Sequence, residues 1–335
     1  MSNPEGPAMA SGSANPDTTD IDAGILDRMI EIRRHLHRNP ELSNREANTQ
    51  RYLRQMLVDQ GIADIRDVAG FGLAVDIVGT GKPSNRKLAI RADIDALPIE
   101  EESGVEFASM NPGVMHACGH DAHASMAFAV AAHLHQSRDD FGGTVRLFFQ
   151  PAEEDEPSGG KRVVEEGLLD DIDAAICVHV DPYTPTGKIA VSSGPYTLAC
   201  DTFDVLVTGS AAHVRAILEA IATAHGASVQ LDIHKGEPGV VNDVEMTELI
   251  VASAKACIGV DNVLNTPGWT IADDFGYYSE KCPSVYFRLG IRNEAVGSVF
   301  PLHHARFRVD EAALKVGAAT LVSAATSFLS MHREN

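Results

Sequence analysis

Five cysteines in 335 residues, none in a CxxC pair, are too few and too irregular for a disulfide framework. An odd thiol count points instead to a reducing compartment, and the cytoplasm is the expected location. Basic residues are also scarce. The 27 Lys and Arg face 47 Asp and Glu, a formal net charge of -20. Nucleic acid and anionic membrane surfaces both reward a basic face, so neither is expected as a partner. No apolar run approaches the length that spans a bilayer. Residues 1–20 are rich in Ser, Pro, Asn, Asp and Gly, lack the apolar stretch of a signal peptide, and read as a disordered tail. There is no GxSxG elbow for a serine hydrolase. The stretch GTGKPSN lacks the GxxxxGK[ST] spacing of a phosphate loop and reads as a hairpin or surface loop.

What is present describes a globular chain. Hydrophobic residues make up 44% and charged residues 22%, and the length suits one large domain or two ordinary ones. Ile25, Met29, Ile32 and Leu36 recur at helical spacing within residues 21–38, and Pro40 closes that helix. A second helix is expected over 44–60, stopped by Gly61. Strands are expected at 73–78, 88–92, 145–149, 174–178 and 284–289, with helices at 121–135, 244–258 and 310–329. Strands alternating with helices and ending in polar residues indicate an α/β fold, its sheet largely parallel and its site at the strand ends.

The segment MHACGHDAH is the most informative part of the chain. Cys118 and His120 stand one residue apart around Gly119, and His116, Asp121 and His123 are further potential ligands close by. A thiolate and an imidazole in this spacing can reach one borderline divalent metal or two adjacent ones. A buried thiol, a helix-capping Asp and surface histidines would give the same letters. Other polar clusters fall at expected strand ends: Asp93 and Asp95 in RADIDALP, Glu153 and Glu154 in QPAEE, and His179 in CVHVDP. His303 in PLHHARF follows far downstream. Alone, each is more often structural; together they are what a dinuclear metal hydrolase needs. Two divalent ions polarise a carbonyl and acidify a water. An anionic bridge such as the Cys118 thiolate can link them, and a carboxylate off the metal must carry the water proton to the leaving amine. Of the adjacent pair, Glu154 could bind metal while Glu153 faces the water. Sulfur with imidazole favours Zn, Co or Ni over Mg or Ca.

The series RRHLHRNPELSNRE, RADIDALPIEE, MHACGHDAH, FFQPAEE, VHVDP and PLHHARF resembles, in order, the amidohydrolase branch of the dinuclear-metal aminoacylase and carboxypeptidase superfamily. That branch includes hippurate hydrolases, indole-acetyl-amino-acid hydrolases and N-acetyl-diaminopimelate deacetylases. The resemblance runs from Ile25 to the C-terminus. It implies a mostly parallel α/β catalytic domain flanked by helices and holding two divalent ions, with Zn favoured and Mn, Co or Ni also possible. The metal ligands would be Cys118, His120, Glu154, His179 and His303, the general base Glu153, and Asp95 a carboxylate behind the ligands. Ala305 replaces a common Pro, and Asp273 in IADDF stands where Glu is usual; both changes are conservative.

The resemblance breaks at the lid domain. A strand over 202–208 leads to GSAAH with His213, the residue similar to a histidine that in the family reaches the partner's oxyanion. A helix over 214–224 and a strand over 228–233 follow directly. The family's central lid elements, its Asn-x-Ile-Pro segment and its lid arginine are missing. The expected organisation is therefore a discontinuous catalytic domain, 21–199 and 236–332, interrupted by a lid remnant at 200–235. A naturally or artificially shortened lid would give the same sequence. The implied reaction is hydrolysis of N-acyl amino acids or small peptides, by a monomer, since the usual dimer surface lies on the lid. A metal-binding but catalytically crippled scaffold is the alternative, because the substrate-clamping set is incomplete.

Overall fold

The computed structural model describes residues 20–200, 202–208, 224, 228–234 and 236–331. Helices α1 (Ala23–Arg38) and α2 (Ala47–Asp59) lead into strands β1 (Ile65–Val68), β2 (Gly72–Val78) and β3 (Lys87–Asp93). Helix α3 (His120–Gln136), β4 (Thr144–Gln150), α4 (Gly159–Glu165) and β5 (Ala174–Pro185) follow. The second half holds the short β6 (Ile189–Ala190) and β7 (Gly194–Pro195), then β8 (Thr202–Thr208), β9 (Ser228–His234) and β10 (Val241–Asn242). Helix α5 (Val244–Ile258), β11 (Val263–Leu264), α6 (Gly276–Ser279), β12 (Ser284–Arg292) and α7 (Leu314–Ser330) complete it.

Eight strands form one sheet in the order β1-β2-β4-β3-β5-β12-β6-β11. The central four, β4, β3, β5 and β12, run parallel. On one side β2 joins β4 antiparallel and β1 joins β2 antiparallel; on the other, β6 turns back on β12. Strands β2 and β3 are not partners, because β4 inserts between them. The connection over 79–85 is thus a surface loop and not a hairpin turn. Strand β5 runs past His179 to Pro185, longer than its apolar run suggests, because pairing with β12 carries it on.

Side-chain alternation divides the interior. Val145, Leu147 and Phe149 face the larger core with α1, α3, α5 and α7, while Phe148 faces a smaller one that includes Val163, Phe275 and Tyr278. Helix α3 is buried nearly all round, and its alanines let it lie close between the sheet and its neighbours α1 and α7. Against the expectation that no apolar run approaches bilayer-spanning length, Glu311–Ser330 is long and apolar enough to cross a membrane, but 72% of its apolar stretch is buried inside the protein. Its apolar surface is used by the core.

In the region of the expected lid remnant, β8 and β9 pair as an antiparallel hairpin, Thr202 opposite His234 and Thr208 opposite Ser228. The helix expected over 214–224 lies, apart from residue 224, outside the described residues, as do His213 and the expected tail up to residue 19.

Candidate metal centre

The parallel strands deliver the polar side chains to one end of the sheet. Strand β3 ends on Asp93, with Asp95 two residues on; β4 ends on Gln150, and the chain turns through Ala152 at φ 49° to present Glu153 and Glu154. Strand β5 contributes His179. Helix α3 starts on His120, preceded by Gly119 at φ 91° and Cys118. Glycine is required at 119: a Cβ there would lie 2.4 Å from Val180 Cγ2. His303, itself at φ 61°, is tied to this loop by its N–H, which donates to the Ala117 carbonyl at 2.8 Å.

Hydrogen bonds decide which edge of each imidazole is free. His120 Nδ1 donates to Asp95 Oδ1 at 3.0 Å, leaving its buried Nε2 with no hydrogen-bond partner. That nitrogen lies 3.5 Å from Asp93 Oδ2, 3.8 Å from Glu153 Oε2 and 3.9 Å from Glu154 Oε1. His179 Nδ1 donates to the Val180 carbonyl at 2.8 Å, and its Nε2 faces Cys118 Sγ at 3.5 Å. His303 Nε2 lies 3.2 Å from Glu154 Oε1. Asp95 also accepts from Ser43 Oγ at 2.7 Å and from the Glu154 N–H at 3.0 Å, so one carboxylate fixes two neighbours of the site.

Burial and neighbouring charges set the proton affinities of the site. Burial, with Glu154 and Glu153 nearby, pushes the Cys118 thiol well above its ordinary range. Burial, with Asp273, Glu154 and Asp274, does the same to the Glu153 carboxyl. Burial opposes a charge on His120, yet Asp93 and Asp95 outweigh it and raise that ring to about 10. Burial and His123 hold His179 well below its usual value. Sulfur, imidazole and carboxylate atoms converge within 4.8 Å of one another in overlapping sets, Cys118–His120–His179, Cys118–Glu154–His303 and His120–Glu153–Glu154. The buried His120 Nε2, which has no hydrogen-bond partner, would cost about 1–3 kcal/mol if left so. A pair of borderline divalent ions fits this donor set.

The structure brings Cys118, Glu153, Glu154, His179 and His303 together in the wall of a cleft of about 760 Å³, with His120 grouped with Cys118 and His179 and Asp95 directly behind it. His116 and Asp121 do not join them. Asp121 pairs with Arg33 and His37 on the α1 side, and burial lowers His116 to about 4. His123 is close by, but its Nε2 already accepts the Val180 N–H at 3.0 Å. Sequence reasoning missed the pairing of Arg91 with Asp93 and Asp274, which packs a buried cation behind the site. Its signal was there: Arg91 and Asp93 share one face of an otherwise apolar strand. It also missed Glu237 and Trp269, which line the cleft.

The family model described as "Peptidase family M20/M25/M40" matches residues 89–327. An uncharacterized hydrolase, y4tI, of Sinorhizobium fredii is 34% identical, covering 79% of this chain and 85% of that protein. The N-acetyl-L-cysteine deacetylase of Bacillus subtilis is 29% identical over 396 aligned positions, covering 95% of this chain and 92% of the deacetylase. The crystal structure of the Bacillus subtilis YxeP protein, described as a dinuclear metal binding peptidase from the M20 family, superposes with a TM-score of 0.78. It is 29% identical and covers 93% of this chain and all of that one.

Proposed function

The chain belongs to peptidase family M20/M25/M40, and from that premise we propose that it hydrolyses the amide bond of N-acyl amino acids or small peptides. Membership makes it a metal-dependent amidohydrolase or peptidase. The observation that carries the finer reading is the convergence of His120 Nε2, which has no hydrogen-bond partner, with Cys118, Glu154, His179 and His303 beside the raised carboxyl of Glu153. In this reading those five residues would hold the ions, with Cys118, common to two of the sets, placed to serve both, and Asp95 orients His120. Zn suits the donors best, with Mn, Co or Ni as substitutes. When bound, two divalent ions polarise the scissile carbonyl and acidify a nearby water. Glu153 takes that water's proton and passes it to the leaving amine nitrogen.

One thiolate, one glutamate and three neutral imidazoles leave two divalent ions net positive, which suits a substrate with a carboxylate despite the acidic surface. The similarity to an N-acetyl amino acid deacetylase supports the same substrate class. Loading with metal is expected to give two ions per chain and hydrolysis of a panel of N-acyl amino acids. Chelation should abolish turnover, and added Zn²⁺ or Co²⁺ should restore it. Hydrolysis that survives complete metal removal would sink this reading.

We further propose that residues 200–235 are a shortened lid inserted between the two parts of the catalytic domain. The deacetylase alignment runs over 396 positions, more than this chain's 335 residues, which supports a missing internal stretch. With that dimer surface reduced, sedimentation should show a monomer, and a concentration-independent dimer would refute it. His213→Ala is then expected to change the rate little.

A further inference from the structure

We propose that His123 is a positioning residue for His179, acting through the backbone of Val180. This rests on the reading of His179 as a metal ligand. His123 follows His120 by one helical turn on α3, so the two rings lie on one buried face, 5.5 Å apart. The pairing of β3 with β5 ends at Arg91 opposite Cys177. Beyond that point the buried N–H of Val180 donates to His123 Nε2 at 3.0 Å. Because Nε2 accepts, the ring proton sits on Nδ1, which donates to Asp93 Oδ1 at 2.7 Å. Asp93 is anchored in turn by Arg91 Nη1 at 2.6 Å.

The carbonyl of the same Val180 accepts from His179 Nδ1 at 2.8 Å. A continuous chain therefore runs from Arg91 through Asp93, His123 and the Val180 backbone to the far edge of His179. Its near edge, Nε2, is left aimed at Cys118 Sγ. The side chain of Val180 closes the arrangement by packing where a Cβ of residue 119 would be, between Cys118 and His120. Fixing Val180 thus fixes the ring orientation and proton position of His179. The sequence offers His123 as a ligand; the geometry assigns it to the layer that aims one.

Two variants separate this role from simple filling of space. In His123→Gln the amide oxygen can take the place of Nε2 and accept the Val180 N–H. In His123→Asn the shorter side chain can still donate to Asp93 but does not reach Val180. Affinity for the ion at His179 is read by chelator competition on the Co²⁺-loaded protein. The exchangeable, paramagnetically shifted ring proton of His179 is read by NMR.

His123→Asn should weaken that ion by roughly 10–100-fold and speed exchange of the ring proton. His123→Gln should stay within a few-fold of the unaltered protein and keep the proton. If Asn does not fold, as judged by melting, His123→Leu replaces it in the comparison. Equal effects of the two variants, or none, would overturn the proposal. His179→Ala is measured alongside. If it keeps both ions tightly, the ligand reading itself has failed; if it loses one while the His123 variants lose none, only the positioning role has.

Discussion

Glu153→Gln is expected to lower turnover by roughly 10²–10⁴ while metal content stays at two ions per chain. The substitution preserves size and hydrogen-bonding capacity but removes the group that can accept a proton. Glu153 and Glu154 are adjacent at the turn after β4, yet their surroundings differ. Glu154 Oε1 lies 3.2 Å from His303 Nε2, in a set with Cys118. Glu153 shares a set with His120 and Glu154 but is also grouped with Asp273 and Asp274. Burial and those carboxylates lift its proton affinity well above that of a surface glutamate. A carboxylate on water at neutral pH is a weak base; one raised in this way is better matched to taking a proton and returning it. Glu154→Gln should show the reverse pattern, with metal lost and activity falling because of it. Elemental analysis of both variants decides the point: an emptied site in Glu153→Gln and a full one in Glu154→Gln would exchange the two roles.

Much of this was legible in the sequence where the signal is local. The apolar spacing of Ile25, Met29, Ile32 and Leu36 marks α1, and all four are buried. Gly61, expected to stop α2, has φ 83° just beyond it. Strand order was not legible: nothing in the apolar runs of β2 and β3 says that β4 will lie between them, because strand pairing is non-local. Nor can spacing report which lone pair of a histidine is free. His116, His120 and His123 look equivalent in MHACGHDAH; His116 and His120 both keep Nε2 without a hydrogen bond, but only His120 does so in a set with Cys118. The Nε2 of His123 is spent on Val180, and His116 lies among the α1-side charges. His303 stands far from the other candidate ligands in sequence, and its place among them rested mainly on the resemblance of PLHHARF to a family motif. The lid helix and His213 lie outside the described residues, so those readings stay with the sequence.

Cys118→Ala should cost the protein most of its metal at both positions. Cys118 is the residue shared by the set with His120 and His179 and the set with Glu154 and His303. A single sulfur common to two ligand sets is placed to bridge, and it brings the negative charge that two neighbouring cations need between them. The affinity lost should exceed the roughly 10–100-fold typical of residues that only support a ligand. Protons give a second handle. Burial and the nearby Glu154 and Glu153 keep the metal-free thiol protonated at neutral pH, while the metal-bound sulfur must be a thiolate. Loading therefore releases a proton from Cys118, and metal affinity should rise with pH. In the Ala variant that share of the proton release disappears, and the pH dependence of any residual binding becomes shallower. The change from thiol to methyl is small and should leave the fold intact, so a melt of the metal-free variant serves as the control. Two tightly held ions in folded Cys118→Ala would show that the bridge is some other ligand, and Asp93, 3.5 Å from His120 Nε2, would be the first carboxylate to test.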